Sequence, residues 1–143
     1  MFGGSVVAKL NLSGWKFGES SIISNTGGST LFSQNKSKEI IAKNWDISKI
    51  NDLTCLFSDC SSLETLDISN WAFGSNHLAR AFFQGCKSLT NVKGIQEWQL
   101  SSFNLNQNPF SAICNGCTAL SNKLTGGMWN NGTWSNGTFT PST

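Results

Sequence analysis

The chain has 143 residues, a formal net charge of +2 and only 13% charged side chains, and this length suits a single domain. It has one arginine and no run of lysines, so it lacks the basic patch that nucleic-acid-binding proteins carry. No apolar stretch approaches the roughly 20 residues that a membrane-spanning helix needs. The composition therefore predicts neither nucleic-acid binding nor membrane insertion.

The N-terminal region contains two fragments of a longer repeated phrase. Leu10-Asn-Leu-Ser-Gly-Trp15 reads like the later Leu66-Asp-Ile-Ser-Asn-Trp71. Leu31-Phe-Ser-Gln-Asn35 reads like the later Leu56-Phe-Ser-Asp-Cys60, and residues 18–30 between the two fragments depart from the phrase. We therefore expect the chain to open part-way through a repeat.

The central region contains the repeat in full. Cys60-Ser-Ser-Leu63 returns 26 residues later as Cys86-Lys-Ser-Leu89. Cys117-Thr-Ala-Leu120 copies the phrase again at a spacing of 31, which indicates five extra residues in a loop, and residues 101–108 depart from the phrase. A fixed period of this length predicts units that stack on one another, with about four turns of the repeat in this chain.

Each unit combines two periodicities. Apolar residues at helical spacing precede the cysteine and predict a short helix, whereas apolar residues at strand spacing follow it and predict a short strand. A unit of this size cannot bury its apolar face alone, so neighbouring strands should lie parallel. In the central repeat the helical set is Ile50, Leu53, Leu56 and Phe57, the strand set is Leu66 and Ile68, and the outward strand positions along the chain are Asn11, Ser13, Asp67, Ser69, Thr90 and Lys93.

The segment from Trp45 to Trp71 resembles the repeat of the DUF285 or BspA-like leucine-rich family. The wording of that repeat is close to W-D-x-S-x-V-x-D-M-x-x-M-F-x-x-C-x-S-L-x-x-L-D-L-S-N-W, and this segment matches it almost position by position. The resemblance covers residues 8–121. It implies an α/β fold, a leucine-rich-repeat-like solenoid of short parallel strands and short helices, as one domain over residues 1–121. It also implies display outside cells.

Residues 1–9 have neither the basic segment nor the long apolar core of a signal peptide. Either the chain is a fragment whose export signal has been lost, or it reaches an exterior by another route. Virion assembly is such a route, because a virion component folds inside the producing cell and is released by lysis. The predicted localisation is extracellular or cell surface, with a virion as the alternative.

The tail, residues 122–143, is predicted to be a separate β-rich element with a period of five. Leu124, Trp129, Trp134 and Phe139 lie five residues apart. One interpretation is a four-sided coil like those of pentapeptide-repeat proteins, and the other is a β-hairpin turned at Asn-Gly, the strongest short turn signal. Since a period of five cannot extend a core of period 26, we expect the tail aromatics to fold over the final repeat or to meet another chain.

Cysteine and tryptophan recur at fixed positions of the repeat. Cys60, Cys86 and Cys117 share one position, which favours a ladder of buried thiols, because zinc ligands must converge whereas ladder positions are held a repeat apart. Although Cys114 and Cys117 have a C-x-x-C spacing, neither a metal nor a cofactor is predicted. The tryptophans at one position predict a packed column where the strands end, and they are Trp15, Trp45, Trp71 and Trp98.

The sequence contains no catalytic constellation. His77 is the only histidine, so any Ser–His or Cys–His mechanism would have to use it, and we expect it on the exposed face of a helix. The eight carboxylates are scattered. The chain is therefore predicted not to be an enzyme.

Two functional hypotheses follow from the repeat. The first is a non-enzymatic recognition module, adhesin-like, which contacts a protein partner, neighbouring subunits or a glycan. The second is a virion tail, fibre or decoration protein that docks onto neighbouring subunits in an oligomer or a larger assembly. The predicted partner-binding residues are Asp67, Ser69, Lys93, Trp129, Trp134 and Phe139.

Overall fold

Four short parallel strands form one sheet in the order of the chain. The structure is a computed structural model that describes residues 8–16 and 32–142. Paired residues are 30 positions apart between the first two strands and 26 apart between the later ones. The strands of the sheet are β1 (Lys9–Asn11), β2 (Glu39–Ile41), β3 (Thr65–Asp67) and β4 (Asn91–Lys93), and a separate antiparallel hairpin contains β5 (Gly132–Ser135) and β6 (Thr138–Pro141).

Side chains alternate between the two faces of the sheet, as the strand pattern predicted. The middle residue of each strand pairs with the middle residue of the next, so these four side chains form one inward row. Ile40 and Leu66 in this row are fully buried. The complete row is Leu10, Ile40, Leu66 and Val92.

The segment before each cysteine is not a helix, so the prediction of short helices there is wrong. Residues 50–59 are mostly a run of tight turns, in which an N–H donates to the carbonyl three residues back. Examples are the bonds from Leu56 to Leu53 at 3.3 Å and from Ser58 to Cys55 at 3.1 Å. Because each bond closes a single turn, the segment follows no regular helical axis.

Many N–H groups that would donate to carbonyls within a helix donate to carbonyls of the neighbouring repeat instead. Every second N–H of residues 53–59 donates to a carbonyl of the following repeat, at 2.6 to 3.1 Å. The same ladder recurs from residues 79–85 to residues 109–115, at 2.8 to 2.9 Å. Backbone hydrogen bonds therefore join neighbouring repeats along the turn segments as well as within the sheet.

Left-handed residues recur in the turn segments and explain why no helix forms there. Their φ values lie between 53° and 83°, a region in which a right-handed helix cannot continue. Tight turns in which an N–H donates to the carbonyl three residues back also place every third side chain on the same side. The apolar spacing therefore fits a run of such turns as well as a helix. The recurring positions are Cys55, Ala81 and Ala112, and four residues later Asp59, Gly85 and Gly116.

A column of packed tryptophans runs through the core beyond the strands, as predicted. The ring centroids of Trp15 and Trp45 are 5.6 Å apart, and those of Trp45 and Trp71 are 5.2 Å apart, with planes within 9° of parallel. The column continues through Trp98 to a fifth member, Trp129, whose centroid lies 5.9 Å from that of Trp98. Three indole N–H groups donate to earlier backbone carbonyls at 2.6 to 2.9 Å: Trp45 to Leu12, Trp71 to Ala42 and Trp129 to Ile95.

The tail contains an antiparallel hairpin, which favours the hairpin interpretation over the four-sided coil. Strands β5 and β6 are joined by Asn136 and Gly137, whose φ values of 51° and 76° suit the mirror-image turn that such hairpins prefer. The hairpin lies against the last turn segment, where the Cys114 N–H donates to the Gly137 carbonyl at 2.9 Å. A Cβ on Gly137 would lie 2.3 Å from the Asn115 nitrogen, so this position requires glycine.

The helices in the described part of the chain are short 3-10 helices. None of them is long and apolar enough to cross a membrane. The predicted departure from the repeat at residues 18–30 lies outside the described residues, as do residues 1–7. The helices are Ile95–Glu97, Leu100–Ser102, Leu105–Gln107, Thr118–Leu120 and Gly127–Asn130.

Replacing Phe83 with alanine should lower the free energy of unfolding by about 3 to 5 kcal/mol, because a cavity would remain in a close-packed core. Phe83 is fully buried, and its ring centroid lies 4.6 Å from that of Phe82. Urea unfolding followed by tryptophan fluorescence measures the change. The exposed Lys93 provides the control, since Lys93→Gln should alter stability by less than about 0.5 kcal/mol. A Phe83→Ala protein as stable as its parent would show that the assigned repeat register is wrong.

Candidate functional site

The outer face of the sheet brings together side chains from four repeats. Neighbouring parallel strands lie about 4.8 Å apart, and the constant register aligns their outward residues in two straight rows. Most of these side chains are polar, and all are exposed or half-buried. One row is Lys9, Glu39, Thr65 and Asn91, and the other is Asn11, Ile41, Asp67 and Lys93.

Two of the predicted contact residues, Asp67 on this face and Ser69 in the turn after β3, are bonded to each other. Asp67 Oδ1 accepts hydrogen bonds from Ser69 N at 3.0 Å and from Ser69 Oγ at 2.6 Å. Asp46 accepts the same two bonds from Ser48, and these bonds lower the pKa of Asp46 below its usual value. Such turns fix the direction of the backbone. The Asp67 carboxylate therefore has a local structural role, whereas Lys93 is exposed on the same row.

The three predicted contact residues of the tail lie over the end of the last repeat. Trp129 and Phe139 are only 2% and 3% exposed, and their ring centroids are 5.0 Å apart. Trp134 is half-buried, 5.1 Å from Phe139. Two of these aromatics thus belong to the core of this chain, and Trp134 retains exposed surface. Their binding to a partner stays a prediction.

The cysteines at the shared repeat position are buried free thiols, which confirms the predicted ladder. Cys60, Cys86 and Cys117 are each 0% exposed. Each Sγ donates to a backbone carbonyl of an earlier phenylalanine at 3.1 to 3.2 Å, so the thiol acts as a small core side chain with one satisfied donor. The acceptors are the carbonyls of Phe32, Phe57 and Phe83 in that order.

The surroundings of two of the buried cysteines, Cys86 and Cys114, keep their thiols protonated. The neighbouring Cys60 thiol and burial raise the pKa of Cys86 well above its usual value. A hydrogen bond with the Cys117 thiol and burial likewise raise the pKa of Cys114. Protonated thiols are poor nucleophiles and poor metal ligands. Within residues 8–16 and 32–142, no three Cys, His, Asp or Glu side chains are arranged to hold a metal ion.

Thiol labelling of the native protein should modify Cys55 and leave the other four cysteines unmodified until the protein unfolds. Cys55 is half-buried, whereas the other four are fully buried. Maleimide labelling with and without urea, read by mass spectrometry, measures the number and position of labels. In a Cys55→Ser variant the native protein should take up none. Rapid native labelling of Cys60, Cys86 or Cys117 would contradict the buried ladder.

His77 is buried, so the expectation that it lies on an exposed helix face is wrong. Its side chain is 0% exposed. Its ring centroid lies 5.6 Å from that of Phe73 and 6.1 Å from that of Phe103. The Gly74 N–H donates to His77 Nε2 at 2.8 Å, and an Nε2 that accepts this bond carries no proton. The neutral imidazole therefore holds the backbone between residues 74 and 77.

Burial lowers the pKa of His77, and the backbone carbonyls of Ile50 and Asn51 oppose only part of this effect. Protonation would place a charge on a buried ring, and it would also remove the hydrogen bond from Gly74. The geometry thus gives His77 a structural role that depends on its neutral form.

The free energy of unfolding should decrease as the pH is lowered below about 6.5, the usual pKa of histidine in an unfolded chain. The folded pKa is lower, so in this range the unfolded state binds the proton first. The contribution is complete above about pH 6.5 and is lost as the pH falls towards the folded pKa, with a slope of at most about 1.4 kcal/mol per pH unit. Urea titrations between about pH 7.5 and pH 5 measure it.

A His77→Gln variant is the matched control for this titration, because it retains every carboxylate of the parent. The variant should be less stable at neutral pH and should show a flatter pH dependence in the same range. Parallel pH profiles for the two proteins would show that His77 does not titrate as proposed.

The sequence patterns missed two features of this region. Trp129 was assigned to the tail alone, although it follows Trp98 by 31 residues, the same spacing that separates Cys86 from Cys117. That shared insertion was the signal for a fifth column member. The second feature is a groove beside β6, next to the exposed Leu105. No periodicity of the sequence indicated it.

A parallel sheet of constant register, with columns of tryptophan and cysteine at repeated positions, defines a protein built from stacked sequence repeats. The chain belongs to the family described as "Mycoplasma protein of unknown function, DUF285", whose profile matches residues 1–127. This match confirms the DUF285 resemblance that the repeat predicted. No curated protein and no solved structure matches the chain.

Proposed function

We propose that this chain is a non-enzymatic recognition module that binds a protein partner through the outer face of its sheet, on an exterior surface. The observation that carries the proposal is the alignment of outward side chains from four repeats in two rows. The inward row is committed to the core, whereas the outward rows are exposed or half-buried. A surface of this kind can change its side chains without changing its backbone.

We further propose that the repeats form a leucine-rich-repeat-like solenoid. The constant register of the sheet supports this architecture, and so does the second set of backbone bonds along the turn segments. In a solenoid each repeat is stabilised mainly by its neighbours, so exposed outward residues such as Asn91 and Lys93 contribute little to folding. Those residues are then available for recognition.

The composition of the face supports a polar mode of binding. Lys9 on β1 and Lys93 on β4 are exposed at opposite edges of the sheet. Glu39 lies between them on β2. Ile41 is the one apolar side chain of the two rows and is half-buried. Hydrogen bonds and charge pairs should therefore dominate the contact, as they do at the rims of protein interfaces.

The place of the tail supports a capping role within the same proposal. Trp129 packs against Trp98 at the end of the column, and Phe139 contacts both Trp129 and Phe110, at centroid distances of 5.0 and 5.8 Å. Solenoids need a distinct terminal element, because the last repeat would otherwise expose its core. The hairpin covers this end, which leaves the sheet face as the better candidate for the partner.

A photo-crosslinking amino acid placed on the sheet should capture the partner. We expect the crosslinker at Asn91, an exposed outward position of β4, to give one discrete crosslinked protein on the surface of the producing cells, identified by mass spectrometry. Adding Lys93→Glu to the same protein should reduce the crosslinked product, because it reverses the charge of the neighbouring outward side chain.

The crosslinker at Ser75, which is exposed in a loop outside the strands, is the matched control and should give no such product. Equal capture from the two positions would contradict recognition through the sheet. Absence of any product from Asn91 would contradict it as well.

A further inference from the structure

The outer edge of β4 is an open edge of the four-stranded sheet, because no strand of residues 8–16 and 32–142 pairs with it. Leu120 follows Leu89 by 31 residues, so a further strand would begin near Ser121 and Asn122. These two residues instead have φ values of 59° and 57°, in the left-handed region that strands do not use. The chain therefore turns away at the position where the next strand would form.

Two backbone groups on this edge lack the partner that their equivalents have in the earlier repeat. The Glu64 carbonyl accepts two N–H groups of the next repeat, at 3.0 and 3.3 Å, whereas the equivalent Thr90 carbonyl accepts none within the described residues. The Ile68 N–H donates to the Lys93 carbonyl at 2.8 Å, whereas the equivalent Gly94 N–H has no acceptor in the same part of the chain. The hydrogen bonding that joins the repeats thus stops at β4 with its groups unpaired.

The planar trans peptide fixes the direction in which these groups point. The Asn91 N–H donates to a carbonyl at the start of β3, so the Thr90 carbonyl of the same peptide unit points away from β3. The Lys93 carbonyl accepts a bond from the residue after β3, so the Gly94 N–H also points away. Val92 lies between them and directs its N–H and carbonyl to the same open side. The edge therefore offers acceptor, donor, acceptor and donor in the order that one extended strand would pair.

A cleft of about 180 Å³ lies along this edge. Residues 90–92 form one side, and residues 123–125 lie on the other. The volume is smaller than the roughly 300 to 1,000 Å³ of small-molecule sites, so the cleft suits an extended backbone with small side chains. The apolar side chains that line it are Val92, Ile95, Leu120 and Leu124.

The charge along the edge is positive. Lys123 is the charged residue among those that line the cleft, and its side chain is exposed. Lys93 does not line the cleft, but it is exposed in the outward row of β4, where its neighbour on β3 is Asp67. A strand added beside β4 would place one of its own outward side chains on the other side of Lys93. Opposite charges on neighbouring strands are stabilising, so an acidic residue is favoured there.

We propose that the β4 edge binds an extended acidic segment of another protein as a fifth strand, through main-chain hydrogen bonds to Thr90, Val92 and Gly94. Addition of a strand to an exposed sheet edge is an established mode of peptide recognition. The charge decides against a second copy as the occupant. The strands at the two edges of the sheet, β1 and β4, contain lysine and asparagine but no acidic residue, so neither could complement the lysines.

Selection from a phage-displayed library of random heptapeptides on the full chain tests the chemistry of the occupant. We expect enrichment of peptides in which Asp or Glu alternates with small apolar residues, as one strand with an outward and an inward face requires. No enrichment, or enrichment of peptides without an acidic residue, would overturn the proposal. Sedimentation of the chain alone is the second arm, and self-association that Val92→Pro abolishes would overturn it in favour of a second copy.

Amide hydrogen exchange of the parent protein, read by NMR, tests the strand pairing itself. In the free chain the Gly94 N–H should exchange faster than the Ile68 N–H, which has an acceptor in the sheet. Saturation with the most enriched peptide, made synthetically, should slow exchange at Val92 and Gly94 about tenfold or more. A peptide that binds without slowing exchange at these two amides would contradict pairing at the β4 edge.

Titration calorimetry with the same peptide tests the edge by substitution. Val92→Pro removes an N–H that β3 does not use, at an edge position where proline is tolerated, and should weaken binding about tenfold or more. Val92→Ala is the matched control, since it also shortens the side chain but keeps the N–H. Equal affinities of the two variants would contradict the main-chain bond. If Val92→Pro does not fold, the exchange measurement on the parent decides alone.

The charge is tested by a second pair of variants. Lys123→Gln should weaken binding about two- to fivefold, as expected for the loss of one exposed ion pair. Lys43→Gln removes an exposed lysine that does not line the cleft and should leave the affinity unchanged. Equal weakening by both variants, or by neither, would contradict the acidic occupant.

The β4 edge and the outer face of the sheet are tested separately, although Asn91 borders both surfaces. Crosslinking from Asn91 reports a partner on the producing cells. The exchange of Val92 and Gly94 and the comparison of Val92→Pro with Val92→Ala report backbone pairing, which recognition through outward side chains does not use. Failure of one proposal therefore leaves the other standing.

Discussion

Backbone hydrogen bonds between successive repeats determine how this chain packs. Strands of three residues cannot be stable alone, and the turn segments close only single turns. Each repeat satisfies the amides of its predecessor both in the sheet and along the ladder from residues 53–59 to residues 78–84. Because the pairing has one register, each side chain lies beside the side chain at the equivalent position of the next repeat. The tryptophan column and the thiol ladder are consequences of that register.

The features that follow from periodicity were predicted correctly from the sequence. The features set by backbone conformation were not. The period of 26 gave the parallel strands, the inward row through Leu66 and the shared position of Cys60 and Cys86, since equal spacing places equal side chains side by side. The helix was wrong because apolar residues three and four apart fit a run of turns as well as a helix. Residues such as Ala81 adopt a left-handed φ of 53°, which no propensity of alanine would suggest.

The candidate sites were predictable to different degrees for the same reason. The outward position of Lys93 follows from strand alternation, so the sheet face could be drawn from the sequence alone. His77 was misplaced because its burial depends on Phe103 in the next repeat, beyond the reach of a local pattern. The groove depends on the insertion after Trp98 and on β6, two segments without a period. Contacts between such non-repeating segments depend on three-dimensional packing, which the spacing of residues in the sequence does not reveal.

The indole of Trp98 marks the point at which the regular stacking begins to end. Its Nε1 is buried without a hydrogen-bond partner, whereas Trp45, Trp71 and Trp129 all donate to backbone carbonyls. One extra residue separates Trp98 from Trp71, and the centroid distance widens to 6.4 Å. Residues 99–142 add no further strand to the four-stranded sheet. The insertion and the hairpin lie where another repeat would stack. The segments that do not follow the repeat are therefore concentrated at this end of the molecule.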